Sequence, residues 1–328
     1  MAVRLRSKKP DTPEPKLADL NIAVILPCKN EETAIAHVVS DVRSALPQAS
    51  VYVYDNASTD KTAEAARAAG AHVRFEPTPG KGHVIRRAFA DIEADIFLMM
   101  DGDGTYDIAS APSLIRTLLD QQLDMLVAAR RQESDGAYRF GHQTGNTLFT
   151  WAFQRFFDLP AKDVLSGYRV FSRRFVKSFP SVAKGFEIEV EISAHAASMR
   201  LPVGEVELPY KERAEGSVSK LKTYSDGLKI ARSMLSFLHA HRPTVIYGPI
   251  AAAAAILSLV IGLPVVFEYF ETGLVPRFPT AFAAASVMVS ALILAAVGLI
   301  QRKLARYHAE QKRLAYLAHP PIMRGAQT

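Results

Sequence analysis

The sequence predicts an α/β domain built on a mostly parallel sheet, followed by an amphipathic helix and a two-helix transmembrane hairpin. Three observations predict it. Apolar runs of strand length alternate with helix-spaced segments from residue 20 to 130. Each apolar run ends in a cluster of polar residues. Residues 244–267 and 278–300 contain no charged side chain, and each is long enough as a helix to cross a hydrocarbon core.

The elements follow in order. Residues 1–19 are basic and Pro-rich between Arg4 and Lys16, with no apolar core, so they are expected to form a disordered tail and not a signal peptide. Ile22–Leu26 is a short apolar strand that ends in Pro27-Cys-Lys-Asn-Glu-Glu32. Ile35, Val38, Val39, Val42 and Leu46 then recur at helical spacing. Val51–Tyr54 is a second strand, ending in Asp55-Asn-Ala-Ser-Thr-Asp60 and an Ala-rich helix. Val73–Phe75 is a third, followed by Gly80-Lys-Gly82 and a helix through Ala90. Ile96–Met100 is the fourth and Met125–Ala128 the fifth. Such alternation implies right-handed crossovers, and ligands of these sheets bind beyond the carboxyl ends of the strands. Every polar cluster named here falls at that edge.

The fourth strand ends in Asp101-Gly-Asp103. Two carboxylates one residue apart repel, and a divalent cation or a metal-bound polyphosphate between them relieves the repulsion; a plain turn is the alternative. Asp55 can accept hydrogen bonds from a nucleobase or ribose, or cap its own turn. Gly80-Lys81-Gly82 offers close backbone approach at a helix start, with a cation suited to phosphate. Other chemistries lack their patterns. There is no Walker spacing and no Gly-x-Gly-x-x-Gly after the first strand. The nine His residues form no convincing zinc pair. The single Cys28 excludes an internal disulfide and reads as a buried structural thiol.

Charge gives an orientation. Lys220, Lys222, Lys229, Arg232 and Arg242 precede the apolar segments, and Arg302, Lys303, Arg306, Lys312 and Arg313 follow them. The connector sets only Arg277 against Glu268 and Glu271. By the positive-inside rule both flanks face the cytoplasm. The net charge of +6 is thereby assigned to membrane-facing segments. No aromatic–basic interleaving suggests nucleic acid. Between Tyr224 and Ala240, Leu228, Ala231, Leu235 and Leu238 share an apolar face widened by Ile230, Met234 and Phe237, as in a helix lying in the headgroup plane. The expected divisions are thus a main domain over 20–222, a juxtamembrane helix over 223–242, the hairpin over 243–301 and a basic cytoplasmic tail over 302–328.

Two families share some of these motifs. Asp101-Gly-Asp-Gly-Thr-Tyr-Asp107 is similar to the first motif of haloacid-dehalogenase-type phosphatases, but that motif ends the first strand there and the fourth here. An ordered series more closely resembles the family-2 inverting glycosyltransferases of GT-A (Rossmann-like) fold, especially dolichol-phosphate mannose synthase and bacterial polyprenyl-phosphate glycosyltransferases. The series is Pro27-x-x-Asn-Glu-Glu32, Asp55-Asn-Ala-Ser-Thr-Asp60, Gly80-Lys-Gly82, Asp101-Gly-Asp103, Asp163-Val-Leu-Ser-Gly-Tyr-Arg169, Gly185-Phe-Glu-Ile-Glu-Val-Glu191, and Arg213 with Ser219-Lys-Leu221.

The resemblance implies a membrane enzyme that moves a sugar from a UDP- or GDP-sugar to a polyprenyl phosphate with Mg2+ or Mn2+. It implies that Pro27, Glu31 and Asp55 line the nucleotide pocket, with Lys81 and Asp101 beside the donor, and that Asp101 and Asp103 hold the metal. Arg130 stands where the family has the Arg of a Gly-Ser-Arg motif reaching toward phosphate, although this chain reads Ala128-Ala129-Arg130. Ile108 follows the acidic cluster where such enzymes often place Pro nearby. Arg213 and Lys220 would bracket phosphates near the bilayer, and Glu191 with Ser166-Gly167 would shape the sugar or acceptor pocket. A phosphate acceptor needs no strong base; a hydroxyl acceptor on another lipid or glycan would make Asp107, Glu189 or Glu191 candidates. The Gln-x-x-Arg-Trp of processive synthases is absent, since Trp151 lies in Phe149-Thr-Trp-Ala-Phe. A catalytically dead scaffold would have lost Asp55, Asp101 and Asp103. UDP is favoured over GDP, and a homo-oligomer is left open.

Overall fold

The computed structural model describes residues 17–131, 163–185, 187–210, 232, 235–236, 239 and 242–321. Arg213, Lys220 and most of the expected amphipathic helix lie outside the described residues; of that helix Arg232, Leu235, Ser236 and His239 are described, and they are helical.

Seven strands form one sheet: β1 (Ile22–Cys28), β2 (Ser50–Asp55), β3 (His72–Phe75), β4 (Ile96–Met99), β5 (Met125–Arg131), β6 (Arg169–Ser172) and β7 (Val203–Pro209), in spatial order β3-β2-β1-β4-β6-β5-β7. β1 through β4 are parallel, with Cys28 opposite Asp55 and Asp55 opposite Phe75. The sheet is mostly parallel, as expected, and is antiparallel at one strand. β6 inserts antiparallel between β4 and β5, while β5 and β7 pair in parallel. Because β6 runs backwards, its beginning lies at the same edge as the ends of the other strands. That reversal brings Asp163, Ser166 and Gly167 to the carboxyl edge.

Helices α1 (Ile35–Ala45), α2 (Thr62–Ala68), α3 (Lys81–Asp91) and α4 (Ala111–Asp120) make the crossovers. Ile35, Val38, Val39 and Val42 on α1 and Leu114, Ile115 and Leu118 on α4 are buried on one face of the sheet. Val84, Ile85, Ala88 and Phe89 on α3 are buried on the other, with α5 (Arg173–Ser178) and α6 (Ile188–Met199). The alternate residues of β1 serve the two faces, Ile22, Val24 and Leu26 in one cluster and Ala23 and Ile25 in the other, which explains its unbroken apolar run. Cys28 is buried, with its Sγ toward the Leu26 carbonyl, and Gly102 lies so close that an added Cβ would sit 2.4 Å from that sulfur.

The chain divides into two compact units, residues 1–227 with 313–328, and residues 228–312. In the second, α7 (Pro243–Thr272) and most of α8 (Phe278–Leu317) are long and apolar enough to cross a membrane. Only 17% of each apolar window is buried, and Ile256, Val260, Leu292 and Ile293 are more than half exposed. A soluble core helix would hide these residues. The two helices meet along small residues at heptad spacing: Ala251, Ser258 and Val265 on α7, and Ala284, Ala291 and Gly298 on α8, are buried. Ser258 Oγ donates to the Ala284 carbonyl at 2.7 Å.

α8 does not stop where its apolar run does. It continues to Leu317, because the charged residues after Ile300 are good helix formers and no breaker comes before Pro320-Pro321. Its last turn, from Arg313, belongs to the first unit. There the buried Tyr316 donates to Asp124 Oδ2 at 2.8 Å, with the guanidinium groups of Arg174 at 4.7 Å and Arg313 at 4.8 Å from its ring centre. Asp124 is fully buried and also takes Ser172 and a two-pronged Arg174.

Candidate active site at the carboxyl edge of the sheet

The polar turns after β1 and β2 interlock. Asn30 adopts φ +52°, and its Oδ1 accepts from the Thr59 N–H at 2.8 Å while its own N–H reaches Ser58 Oγ at 3.0 Å. The Glu31 N–H donates to Thr62 Oγ1 at 2.8 Å, and the Glu32 N–H to Asp60 Oδ2 at 3.1 Å. Pro27 and Glu31 are half-buried beside the end of β2. Asp55, the last residue of β2, is 5% exposed, and its Oδ1 is buried with no hydrogen-bond partner among the described residues. An unmet buried acceptor costs about 1–3 kcal/mol, so a ligand N–H or O–H that reached this oxygen would recover that cost. Asn56 ties the next loop down, donating to the carbonyls of Glu76 at 3.0 Å and Thr78 at 2.7 Å and accepting from the Gly80 N–H at 2.7 Å.

The two glycines around Lys81 serve packing. A Cβ on Gly82 would lie 2.3 Å from the Ala183 carbonyl oxygen, and one on Gly80 would lie 2.0 Å from that of Lys184, at a φ of +134°. The close approach expected for a phosphate is therefore made to the 182–185 loop. Glu191 holds that loop: its carboxylate accepts from the Val182 N–H at 3.0 Å and the Ala183 N–H at 2.8 Å. Glu191 thus shapes the site through a loop.

Lys81 stands between two carboxylates, 2.5 Å from Asp101 Oδ1 and 2.6 Å from Glu189 Oε1. Burial works against its charge, but Asp101 and Glu189 outweigh it and hold the ammonium well above the ordinary lysine range. Burial, with Asp101 nearby, pushes the Glu189 carboxyl up, against the pull of Lys81. Gly167 closes the far side, since a Cβ there would lie 2.8 Å from Asp101 Oδ2 and 2.9 Å from Lys81 Nζ. Its N–H donates to Tyr106 Oη at 3.1 Å, and Tyr106 packs tilted on Tyr168 and edgewise on Tyr210.

Asp103 is buried, its Oδ1 accepting from the Thr105 N–H at 3.2 Å and hydroxyl at 2.7 Å. Among the described residues no third His, Cys, Asp or Glu joins the acidic pair in a metal-ligating cluster. The donor set fits Mg2+ or Mn2+ held by one or two carboxylates and completed by substrate phosphates and water, and does not fit a cage made by the protein alone.

Arg130, at the end of β5, is one-fifth exposed in its side chain. It forks onto Asp163, with Nε to Oδ2 at 2.7 Å and Nη2 to Oδ1 at 2.9 Å, and lies 5.6 Å from the Tyr210 ring centre. Arg169 is fully buried and donates to the carbonyls of Ser166 and Val164 and to Ser193 Oγ, which fixes the turn carrying Gly167; burial lowers its pKa to about 10. The structure therefore gathers Pro27, Glu31, Asp55, Lys81, Asp101 and Asp103 at one edge and sets Arg130 beside it on an internal partner. Sequence reasoning did not assign Glu189 to Lys81 or Asp163 to Arg130. The acidic residues of both motifs were visible, but the pairings span 108 and 33 positions along the chain.

Comparisons with known proteins agree with this arrangement. A family model described as glycosyl transferase family 2 matches residues 23–179. Glycosyltransferase AglJ of Haloferax volcanii is 29% identical over 293 residues, 89% of this chain and 96% of AglJ. A dolichyl-phosphate hexose transferase of the same organism is 24% identical over 215 residues, 66% of this chain and 92% of that protein. Glucosyl-3-phosphoglycerate synthase from Mycobacterium tuberculosis, solved in complex with Mn2+ and UDP-glucose, superposes with a TM-score of 0.55 at 22% identity over 68% of this chain and 79% of that one. At that identity the likeness establishes the fold, which is the GT-A arrangement.

Proposed function

The chain belongs to glycosyl transferase family 2, and from that premise we propose that it transfers a sugar from a nucleotide sugar to a polyprenyl phosphate, with a divalent cation, at the cytoplasmic face of a membrane. The observation that carries the acceptor is the presence, in one glycosyltransferase chain, of two helices of 30 and 40 residues whose apolar side chains are left exposed. The name of the dolichyl-phosphate hexose transferase supports the same reading.

Asp55 would receive the base or ribose through its unmet oxygen, with Pro27 and Glu31 forming the wall around it. Asp101 and Asp103 would hold Mg2+ or Mn2+. When bound, the cation would neutralise charge on the departing diphosphate. An oxygen of the acceptor phosphate forms the bond to the anomeric carbon, the bond from that carbon to the donor phosphate breaks, and its electron pair leaves with the nucleoside diphosphate. The acceptor is already an anion, so no proton has to move, and configuration inverts. Arg213 and Lys220 are proposed to meet the phosphates. Arg130 would act through Asp163, by stiffening the turn before β6.

Of the three carboxylates considered as bases for a hydroxyl acceptor, Asp107 is bonded to Ser110, Glu191 to the amides of Val182 and Ala183, and Glu189 holds the Lys81 ammonium through one oxygen. This favours the phosphate acceptor over a hydroxyl. The basic flanks of the apolar helices favour a hairpin with the catalytic part in the cytoplasm.

The test uses membranes containing the chain, supplied with Mn2+, polyprenyl phosphate and a panel of radiolabelled UDP- and GDP-sugars. Solvent-extractable, acid-labile label that depends on added polyprenyl phosphate is the expected result and names the donor. Free sugar or nucleotide release without lipid label would overturn the acceptor.

A further inference from the structure

The ammonium of Lys81 is bound by two carboxylates of unlike exposure. Asp101 is 32% exposed in its side chain and Glu189 is 5% exposed. Glu189 has capacity to spare, because its Oε2 is buried without a hydrogen-bond partner among the described residues. Gly167 lies against the pair, and a side chain at that position would press on both Asp101 Oδ2 and Lys81 Nζ. Asp101 is also one of the two carboxylates assigned to a divalent cation, so Lys81 and that cation compete for one ligand. Two cations cannot share a carboxylate at close range without repulsion, unless a further negative charge accompanies the first.

We propose that Lys81 is an internal cation that occupies Asp101 in the nucleotide-free protein, and that Glu189 is the positioning residue that takes Lys81 over when a divalent cation with a nucleoside diphosphate claims Asp101. Glu189 is suited to this because it already holds the ammonium through one oxygen and keeps the other unused. The hand-over needs a change of hydrogen bonding and no travel of the lysine out of its cavity. Removing Glu189 would leave Asp101 as the sole anionic partner of Lys81, and the metal would then have to break that pair outright. Removing Lys81 as well would abolish the competition.

This inference rests on the metal-dependent donor reading above, and the test separates the two. The full chain in detergent would be titrated with Mn2+, and free Mn2+ followed by its electron paramagnetic resonance signal, alone and with UDP or GDP. Four proteins are compared: the wild type, Glu189→Gln, Lys81→Met and the double variant. The expected result is that Glu189→Gln weakens Mn2+ binding roughly tenfold in the wild-type background and less than about twofold in the Lys81→Met background, a coupling that simple addition of charges would not produce. Equal effects of Glu189→Gln in the two backgrounds, or none in either, overturn the proposal. If the wild type binds Mn2+ with neither nucleotide, the donor reading itself fails. Thermal unfolding identifies any variant that does not fold, and Glu189→Asp then replaces Glu189→Gln, with the hand-over predicting tighter Mn2+ binding in the Lys81→Met background than in the wild type and an absence of coupling overturning it.

Discussion

Gly82→Ala is the most direct probe of what the Gly-Lys-Gly segment does. The added Cβ would lie 2.3 Å from the Ala183 oxygen, 2.6 Å from the Ala183 carbonyl carbon and 2.9 Å from that of Lys184, where ordinary contact begins at 3.4 Å. All three are backbone atoms, so no side chain can swing aside, and the surfaces must part by about 1 Å. The 182–185 loop is held by Glu191 and Glu187 through its amides, so the start of α3 has to yield as well. Overpacking of this kind costs about 1–3 kcal/mol. For a unit of this size that is a fall in Tm of roughly 2–12 °C. The same shift carries Lys81 off Asp101 and Glu189, and a displacement near 1 Å at a reacting site costs about a hundredfold in rate. The expected outcome is a folded protein with a modestly lowered melting curve by circular dichroism and a transfer rate down about a hundredfold. A variant with native melting and native transfer would refute the reasoning, because the loop would then not be touching α3 as described.

Further outcomes follow from the same contacts. Tyr316→Phe keeps the ring beside Arg174 and Arg313 but removes the 2.8 Å bond to Asp124; a bond to a charged acceptor contributes about 1.5 kcal/mol or more, readable as a lowered urea midpoint of the first unit. An unchanged midpoint would mean that the last turn of α8 does not dock there. Asp163 gives a pH dependence. Burial raises its carboxyl, but hydrogen bonds and charge from Arg130 outweigh it and hold it below the ordinary value. The unfolded chain therefore takes up this proton first as pH falls, so the contribution is complete above about pH 4 and drains below it. Arg130→Met should flatten that acid limb in unfolding curves, and an unchanged limb would contradict the pairing. Chelating the metal, or Asp103→Asn, should abolish lipid-linked label, with Mn2+ restoring the chelated wild type and not the variant.

Much of the first unit is visible in local sequence because β1, β2 and β4 are apolar runs cut off sharply by polar turns. Asp55, Asp101 and Asp103 stand at the ends of those runs and so declare their edge. β6 is a different case. Four residues beginning with a buried Arg carry neither alternation nor an apolar run, and the compensating partners of Arg169 lie at Val164, Ser166 and Ser193. Its antiparallel place between β4 and β5 is a matter of strand order, which no local pattern encodes. β7 is an edge strand with mostly half-buried residues, so its pattern is weak. Reading α8 to Ile300 follows the apolar stretch, whereas the helix follows backbone propensity and runs on to Leu317. Lys81 read as a phosphate cation because its neighbours in sequence are glycines; its neighbours in space are two carboxylates supplied by the turn after β4 and by α6.

The central claim is that the acceptor is a lipid phosphate. The measurement that tests it most directly gives the purified chain, with Mn2+ and its donor sugar, a choice between polyprenyl phosphate and the same polyprenol without phosphate, and reads the product by mass spectrometry. The account predicts a glycosyl phosphodiester lipid from the first and nothing from the second, since only the phosphate is already a nucleophilic anion. Comparable glycosylation of the bare polyprenol would contradict it.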